Sequence, residues 1–236
     1  MNYYFIVGST FLVSVIANFI LKSKFRSFSK FHLHSCMSGK EVAERMLKEN
    51  GIFDVNVLLI EGKENLVDHY NPLNKTINLS ETVYNGRNAA SVAVAAHECG
   101  HALQHKLGYN LLKLRNHLIL ILNFSSNFTS AAIMYGLTIF YSSGGKNSII
   151  LKIGIGLFLF IVIFYFLTLP IEFDASKRAL NWMKKNNVVN YQEYNKAKES
   201  LRWAAMTYII SALGSLAQLI YFLSLFTSVG KKNEKF

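Results

Sequence analysis

The chain has 236 residues, of which 51% are hydrophobic and 14% aromatic, with two prolines and a formal net charge of +11. That balance excludes a disordered or collagen-like chain. No basic-aromatic module for nucleic acid accompanies the charge, and Lys and Arg flanking membrane spans account for it instead. Its two cysteines, Cys36 and Cys99, have no paired spacing; this argues against a disulfide framework and suits a reducing compartment.

The apolar residues concentrate in four blocks. Residues 3–21 form an uncharged run long enough to span the hydrocarbon core of a bilayer. Its positive charges, Lys22, Lys24, Arg26 and Lys30, follow the run rather than precede it. A cleavable signal peptide has the opposite order, so an uncleaved anchor with its N-terminus outside is expected. Phe25, Phe28 and Phe31 recur every three residues among these bases. They predict either a helical face lying in the headgroup layer or an ordinary solvated linker.

Residues 38–49 carry Val42, Arg45, Met46 and Glu49 at helical spacing before Gly51, and predict a short amphipathic helix. Residues 54–60 are β-branched and apolar and predict a strand. Residues 66–70 and 76–79 predict two more, and the Asn71-Pro72-Leu73-Asn74 turn between them makes a hairpin. A helix is expected over residues 88–107, with Asn85-Gly86 before it and Gly108 after it. Its first half is almost wholly small and apolar, which predicts burial on most sides.

The remaining spans are expected at residues 118–141, 149–169 (ending at Pro170) and 204–229. With the N-terminus outside, four spans put residues 22–117 and 171–203 on one face. These segments hold 20 of the 25 Lys and Arg residues, which makes that face cytoplasmic. The basic tail of Lys231, Lys232 and Lys235 runs against this. The chain thus divides into an anchor (1–21), a cytoplasmic segment (22–117), a transmembrane hairpin (118–170), a second cytoplasmic segment (171–203), and a last span with its tail (204–236).

The chemistry concentrates at His97-Glu98-Cys99-Gly100-His101. Residues four apart on a helix share a face, so both imidazoles can reach one ion. Zinc accepts such nitrogens in tetrahedral geometry, and a catalytic site leaves one position for water. Glu98 can take a proton from that water and deliver it to a leaving amine. Cys99 points away from the ligand face and reads as a packing residue.

A catalytic site needs a third protein ligand. Glu172 stands at the cytoplasmic end of the third span, in Pro170-Ile171-Glu172-Phe173-Asp174-Ala175-Ser176. Asp174 lies roughly 200° around a helix from it, so both cannot point at one ion. His105 would require three successive turns of one helix to wrap a tetrahedral ion. His32, His34, His69 and His117 are isolated in the sequence.

HECGHALQH, with the preceding Asp68-His69-Tyr70-Asn71-Pro72 and Asn78-Leu79-Ser80 and the later PIEFDAS, resembles the bacterial YugP-like family of membrane zinc metallopeptidases. More distantly, the layout resembles gluzincin membrane proteases of the CAAX prenyl protease and HtpX types. This resemblance implies a mainly α integral membrane protein: four transmembrane helices with a zincin-like α+β cytoplasmic core. It implies Zn2+ held by His97, His101 and Glu172, Glu98 as general base, and a peptide or protein substrate lying along the hairpin's edge strand. Those relatives carry Asp four residues after the ligand Glu, where it orients a ligand histidine; here that position is Ser176. Asp174 is the alternative for that role. Tyr70 and Tyr208 are both available to stabilise an oxyanion.

Two other functions compete. A non-catalytic zinc-binding scaffold or regulator would bind metal without cleaving peptides, although a purely structural site closes all four positions with protein ligands. A transporter would place charges within the spans, and only Lys152, near the end of its span, does so.

Overall fold

The structure, a computed structural model, describes residues 3–60 and 68–233, with the side chains of 3, 4, 120, 121, 123–127 and 226–233 excepted. Residues 66 and 67 of the second expected strand and Lys235 of the tail lie outside this range. Backbone contacts group the chain into two compact units. One comprises Met1–Val15, Leu114–Thr168 and Tyr208–Phe236; the other comprises Ile16–Lys113 and Leu169–Thr207. Four long helices contribute to both: α1 (Tyr3–Phe28), and α5 (Asn110–Ser142), α6 (Ile149–Lys185) and α7 (Tyr191–Asn233), numbered in chain order among the elements introduced below.

The described residues of the first unit are helical apart from the turn at residues 143–148 that joins α5 to α6. Its core joins Ile133, Phe140, Leu151, Ile155, Leu219 and Phe222. Glycine brings two of its backbones together: a Cβ on Gly136 would sit 2.6 Å from the Cα of Leu151. Among the described residues, three helices are long and apolar enough to cross a membrane: Phe5–Phe28, Ile149–Lys185 and Tyr191–Leu225. The expected second span, residues 118–141, falls within α5, several of whose side chains are not among those described. α5 is not one of the three.

The second unit combines short helices with a three-stranded sheet. Helix α2 (Gly39–Glu49) begins with a capping box, in which the Glu41 backbone N–H donates to Ser38 Oγ at 3.3 Å and the Ser38 N–H donates to Glu41 at 2.7 Å. Its buried stripe of Val42, Ala43, Met46 and Leu47 faces the core. Gly51, at φ +66°, supplies the left-handed residue that turns the chain out of the helix.

Strands β1 (Asn56–Ile60), β2 (His69–Asn71) and β3 (Thr76–Ser80) form a sheet of order β1-β3-β2. β3 pairs antiparallel with β2 in the expected hairpin and parallel with β1, from Asn56↔Thr76 to Ile60↔Ser80. In the turn, Asn71 Oδ1 accepts from the N–H groups of Leu73 and Asn74 at 2.9 and 3.2 Å, the self-capping typical of Asn. β3 ends where Asp68 accepts from both the backbone and the hydroxyl of Ser80, at 2.7 and 3.0 Å.

After the single turn α3 (Glu81–Tyr84) comes α4 (Ala89–Lys106), the central helix of this unit. Asn88 caps it by accepting from the Ser91 N–H at 2.9 Å, and Gly108 follows it at φ +67°. As expected from its small residues, α4 is buried on most of its circumference.

Two sequence expectations need correction. Phe25 and Phe28 share a face of α1, as their spacing requires, but that face is buried in the second unit's hydrophobic core and not in a headgroup layer; Phe31 is exposed. Pro170 does not end α6, which continues to Lys185. Proline removes one N–H and strains the preceding turn. Burial outweighs that cost: Ile171, Ala175, Ala179 and Met183, each four residues from the last, are all fully buried.

α6 approaches α4 closely at Gly100, where a Cβ would meet the Ala175 carbonyl oxygen at 2.6 Å and its Cα at 3.0 Å. Both obstacles are backbone and cannot rotate away. Gly100→Ala is therefore expected to destabilise the protein by about 1–3 kcal/mol, the usual range for overpacking. Thermal melting of the detergent-purified protein against wild type measures it.

Candidate metal centre

The contact at Gly100 decides what lies on either side of it. One turn apart on α4, His97 and His101 present their rings edge to face, with centroids 4.7 Å apart. Glu172 reaches them from α6: its Oε2 is 3.2 Å from His97 Nε2, and its Oε1 is 3.6 Å from His101 Nε2. One donor atom from each residue lies within 4.8 Å of the others, and among the described residues no other group of three His, Cys, Asp or Glu side chains converges in this way. The carboxylate and the His101 imidazole are buried, and His97 is partly so.

Glu98 is buried beside this cluster and outside it. Its Oε2 accepts from the backbone N–H of Tyr70 at 2.9 Å, which ties edge strand β2 to α4. Burial raises the Glu98 carboxyl above the usual carboxylate range, against the opposing pull of His97 and His101. His101 is a contest of the same kind. Burial disfavours its charged form, but the adjacent Glu172 carboxylate outweighs this and raises its pKa.

The second nitrogen of each imidazole is also engaged. Ser176 Oγ lies 3.0 Å from His97 Nδ1, and Gln104 Oε1 lies 3.0 Å from His101 Nδ1. Gln104 Nε2 in turn donates to the Ile171 carbonyl at 2.8 Å and to Asp174 Oδ2 at 2.9 Å. Asp174 also accepts from Arg178 Nε at 2.6 Å. Both residues weighed for an orienting role therefore contact the cluster, Ser176 directly and Asp174 through Gln104. Sequence reasoning passed over Gln104; its spacing of three from His101, which puts it on the same helix face, was the available signal.

The other candidates lie elsewhere. His105 Nδ1 bonds the Tyr70 hydroxyl at 2.7 Å, on the stripe of α4 that carries Glu98 and Ala102. Burial and the charge of Asp54 push the Tyr70 phenol up to about 12. Tyr70, Ala102 and His105 line a recess of about 350 Å³ together with Asp54, Lys75 and Lys106. His34 pairs with Glu193 at 2.7 Å, and His69 Nε2 lies 3.1 Å from Asn78. Cys99 is buried with its sulfur against the Ala43 carbonyl, the packing role its position predicts.

The chain is 36% identical over 233 residues to the "Putative membrane protease YugP" of Bacillus subtilis (strain 168), covering 99% of this chain and 100% of that one. No solved structure matches it. A family model described as "Putative neutral zinc metallopeptidase" matches residues 3–227, and the chain belongs to that family.

Proposed function

We propose that this chain is an integral membrane zinc metallopeptidase in which His97, His101 and Glu172 hold the metal and Glu98 is the general base and acid. The observation that carries this reading is the approach of Glu172 to two imidazoles 75 and 71 positions before it in sequence. Two imidazole nitrogens and a carboxylate oxygen fit a catalytic zinc site, which takes three protein ligands and keeps a fourth position open. When bound, zinc supplies Lewis acidity to a water and to the scissile carbonyl.

The chain's own residues supply the proton chemistry. Glu98 stands beside the donor cluster without joining it. The Tyr70 N–H fixes one oxygen of its carboxylate, so the group is oriented to accept a proton from the attacking water and return it to the leaving amine. A carboxyl whose burial favours the neutral form is suited to holding that proton between the two steps. β2 is the edge strand beside Glu98, and an extended peptide laid along it would bring its backbone to the site. The Tyr70 phenol, held by His105 and kept protonated by its surroundings, remains a donor at neutral pH.

The bilayer is the second partner. The apolar window of Phe5–Phe28 is only 11% buried, so its side chains need a nonaqueous environment. We read four spans, with residues 118–141 as the second, in the cell membrane, and place the metal centre on the cytoplasmic side from the distribution of Lys and Arg.

Three results test this reading. Glu98→Gln is expected to lower peptide hydrolysis by about 10²–10⁴-fold while leaving zinc bound; full activity in that variant rules out the mechanism, and zinc without cleavage of any peptide favours the scaffold. Purified wild type loaded with excess zinc is expected to retain about one zinc per chain, the stoichiometry of a mononuclear site. Glu172→Ala should lose it and Asp174→Ala keep it, as read by elemental analysis. For sidedness, Cys36 is exposed and Cys99 buried. A membrane-impermeant maleimide should label Cys36 in inverted vesicles and not in intact cells; the reverse pattern puts the site outside.

A further inference from the structure

The hydrogen bonds around Gln104 determine where the proton on His101 resides. Gln104 is fully buried, and its Nε2 carries two hydrogens. Both have acceptors, the Ile171 carbonyl at 2.8 Å and Asp174 Oδ2 at 2.9 Å. Reversing the amide would set its oxygen against two oxygens that only accept, so the network permits one orientation. Arg178 holds Asp174 in place through a charge-assisted bond of 2.6 Å.

That orientation aims Gln104 Oε1 at His101 Nδ1, 3.0 Å away. An amide oxygen cannot donate, so Nδ1 must carry the hydrogen. In the neutral ring the lone pair then belongs to Nε2, which faces Glu172 at 3.6 Å, too far for a hydrogen bond to compete with the 3.0 Å contact at Nδ1. His97 is held differently. Its Nδ1 meets the Ser176 hydroxyl, which can donate or accept and so leaves the tautomer of that ring open.

We infer that Gln104 is a positioning residue that locks His101 in the Nδ1–H tautomer, through the relay Arg178–Asp174–Gln104, and so presents the Nε2 lone pair to a divalent metal ion. The inference deepens the metallopeptidase reading and rests on it for the identity of the metal. The tautomer is a property of the metal-free chain.

The test uses the full chain, purified in detergent, stripped of metal and labelled with 15N-histidine. The His101 signals are assigned by their loss in His101→Asn. At a pH where the imidazole is neutral, wild-type His101 is expected to carry its hydrogen on Nδ1. Gln104→Met, similar in size but unable to bond, should release the ring to the Nε2–H form or a mixture. Competition with a chromophoric chelator should show its zinc dissociation constant raised by about 10- to 100-fold, the usual effect of losing a group that orients a ligand. Asp174→Ala, which leaves the Ile171 bond intact, should give a smaller rise in the same direction.

A wild-type ring carrying its hydrogen on Nε2 overturns the inference. So does a Gln104→Met protein that melts lower yet keeps wild-type tautomer and zinc affinity, since Gln104 would then be a packing residue. If Gln104→Met does not fold, the wild-type tautomer and the affinity of Asp174→Ala decide. A wild type that carries the Nδ1 hydrogen but binds no zinc defeats the metallopeptidase reading and leaves the lock standing.

Discussion

The backbone contact between Gly100 and Ala175 is the constraint on which the rest of the site depends. Side chains on two helices can share an ångström-scale geometry only if the helices have one fixed separation. A contact made by backbone atoms supplies it, because it has no rotamer with which to relax. His97 and His101 flank this point on α4, and Glu172 and Ser176 flank it on α6. The distances of 3.0 to 3.6 Å among them follow from it. Small residues stand one turn from it on both helices: Ala96 on α4, and Ala175 itself with Ala179 on α6, are all buried.

Polar groups are gathered in buried surroundings. Glu98, His101, Gln104 and Glu172 are all under a tenth exposed, in surroundings where an unsatisfied polar atom costs several kcal/mol. Each has partners. Such networks rigidify a core when every member is satisfied, and they are the weakest part of it when one is missing. Here the network extends from backbone to ring: β2 holds Glu98, and α6 holds Gln104, Ser176 and, through Arg178, Asp174.

Much of this was legible in the sequence because it is local. The limits of α4 follow from Asn85-Gly86 and Gly108, α2 from its helical spacing and Gly51, and the β2–β3 hairpin from its Asn71-Pro72-Leu73-Asn74 turn. The approach of Glu172 to the two histidines was anticipated through family resemblance; helix geometry said only that Glu172 and Asp174 could not both reach one ion. What could not be read depends on elements distant in sequence. The parallel pairing of β1 with β3 leaves no periodicity to detect. Pro170 is a helix breaker by local rules, and only the burial of Ile171, Ala175 and Ala179 overrides it. Phe25 and Phe28 have the same spacing whether they meet lipid or a protein core. Gln104 looked like an ordinary helix residue because its partners lie 67 and 70 positions away.

The same separation has a consequence in time. His97 on α4 and Glu172 on α6 are 75 positions apart, and a ribosome adding about 5–20 residues per second takes about 4 to 15 s to cross that distance. For that interval the imidazoles and Glu98 exist on a nascent chain with no α6 against which to bury. The cluster is assembled by the arrival of α6, so the late-made carboxylate of Glu172, rather than the two histidines made before it, sets the moment at which the proposed centre becomes complete.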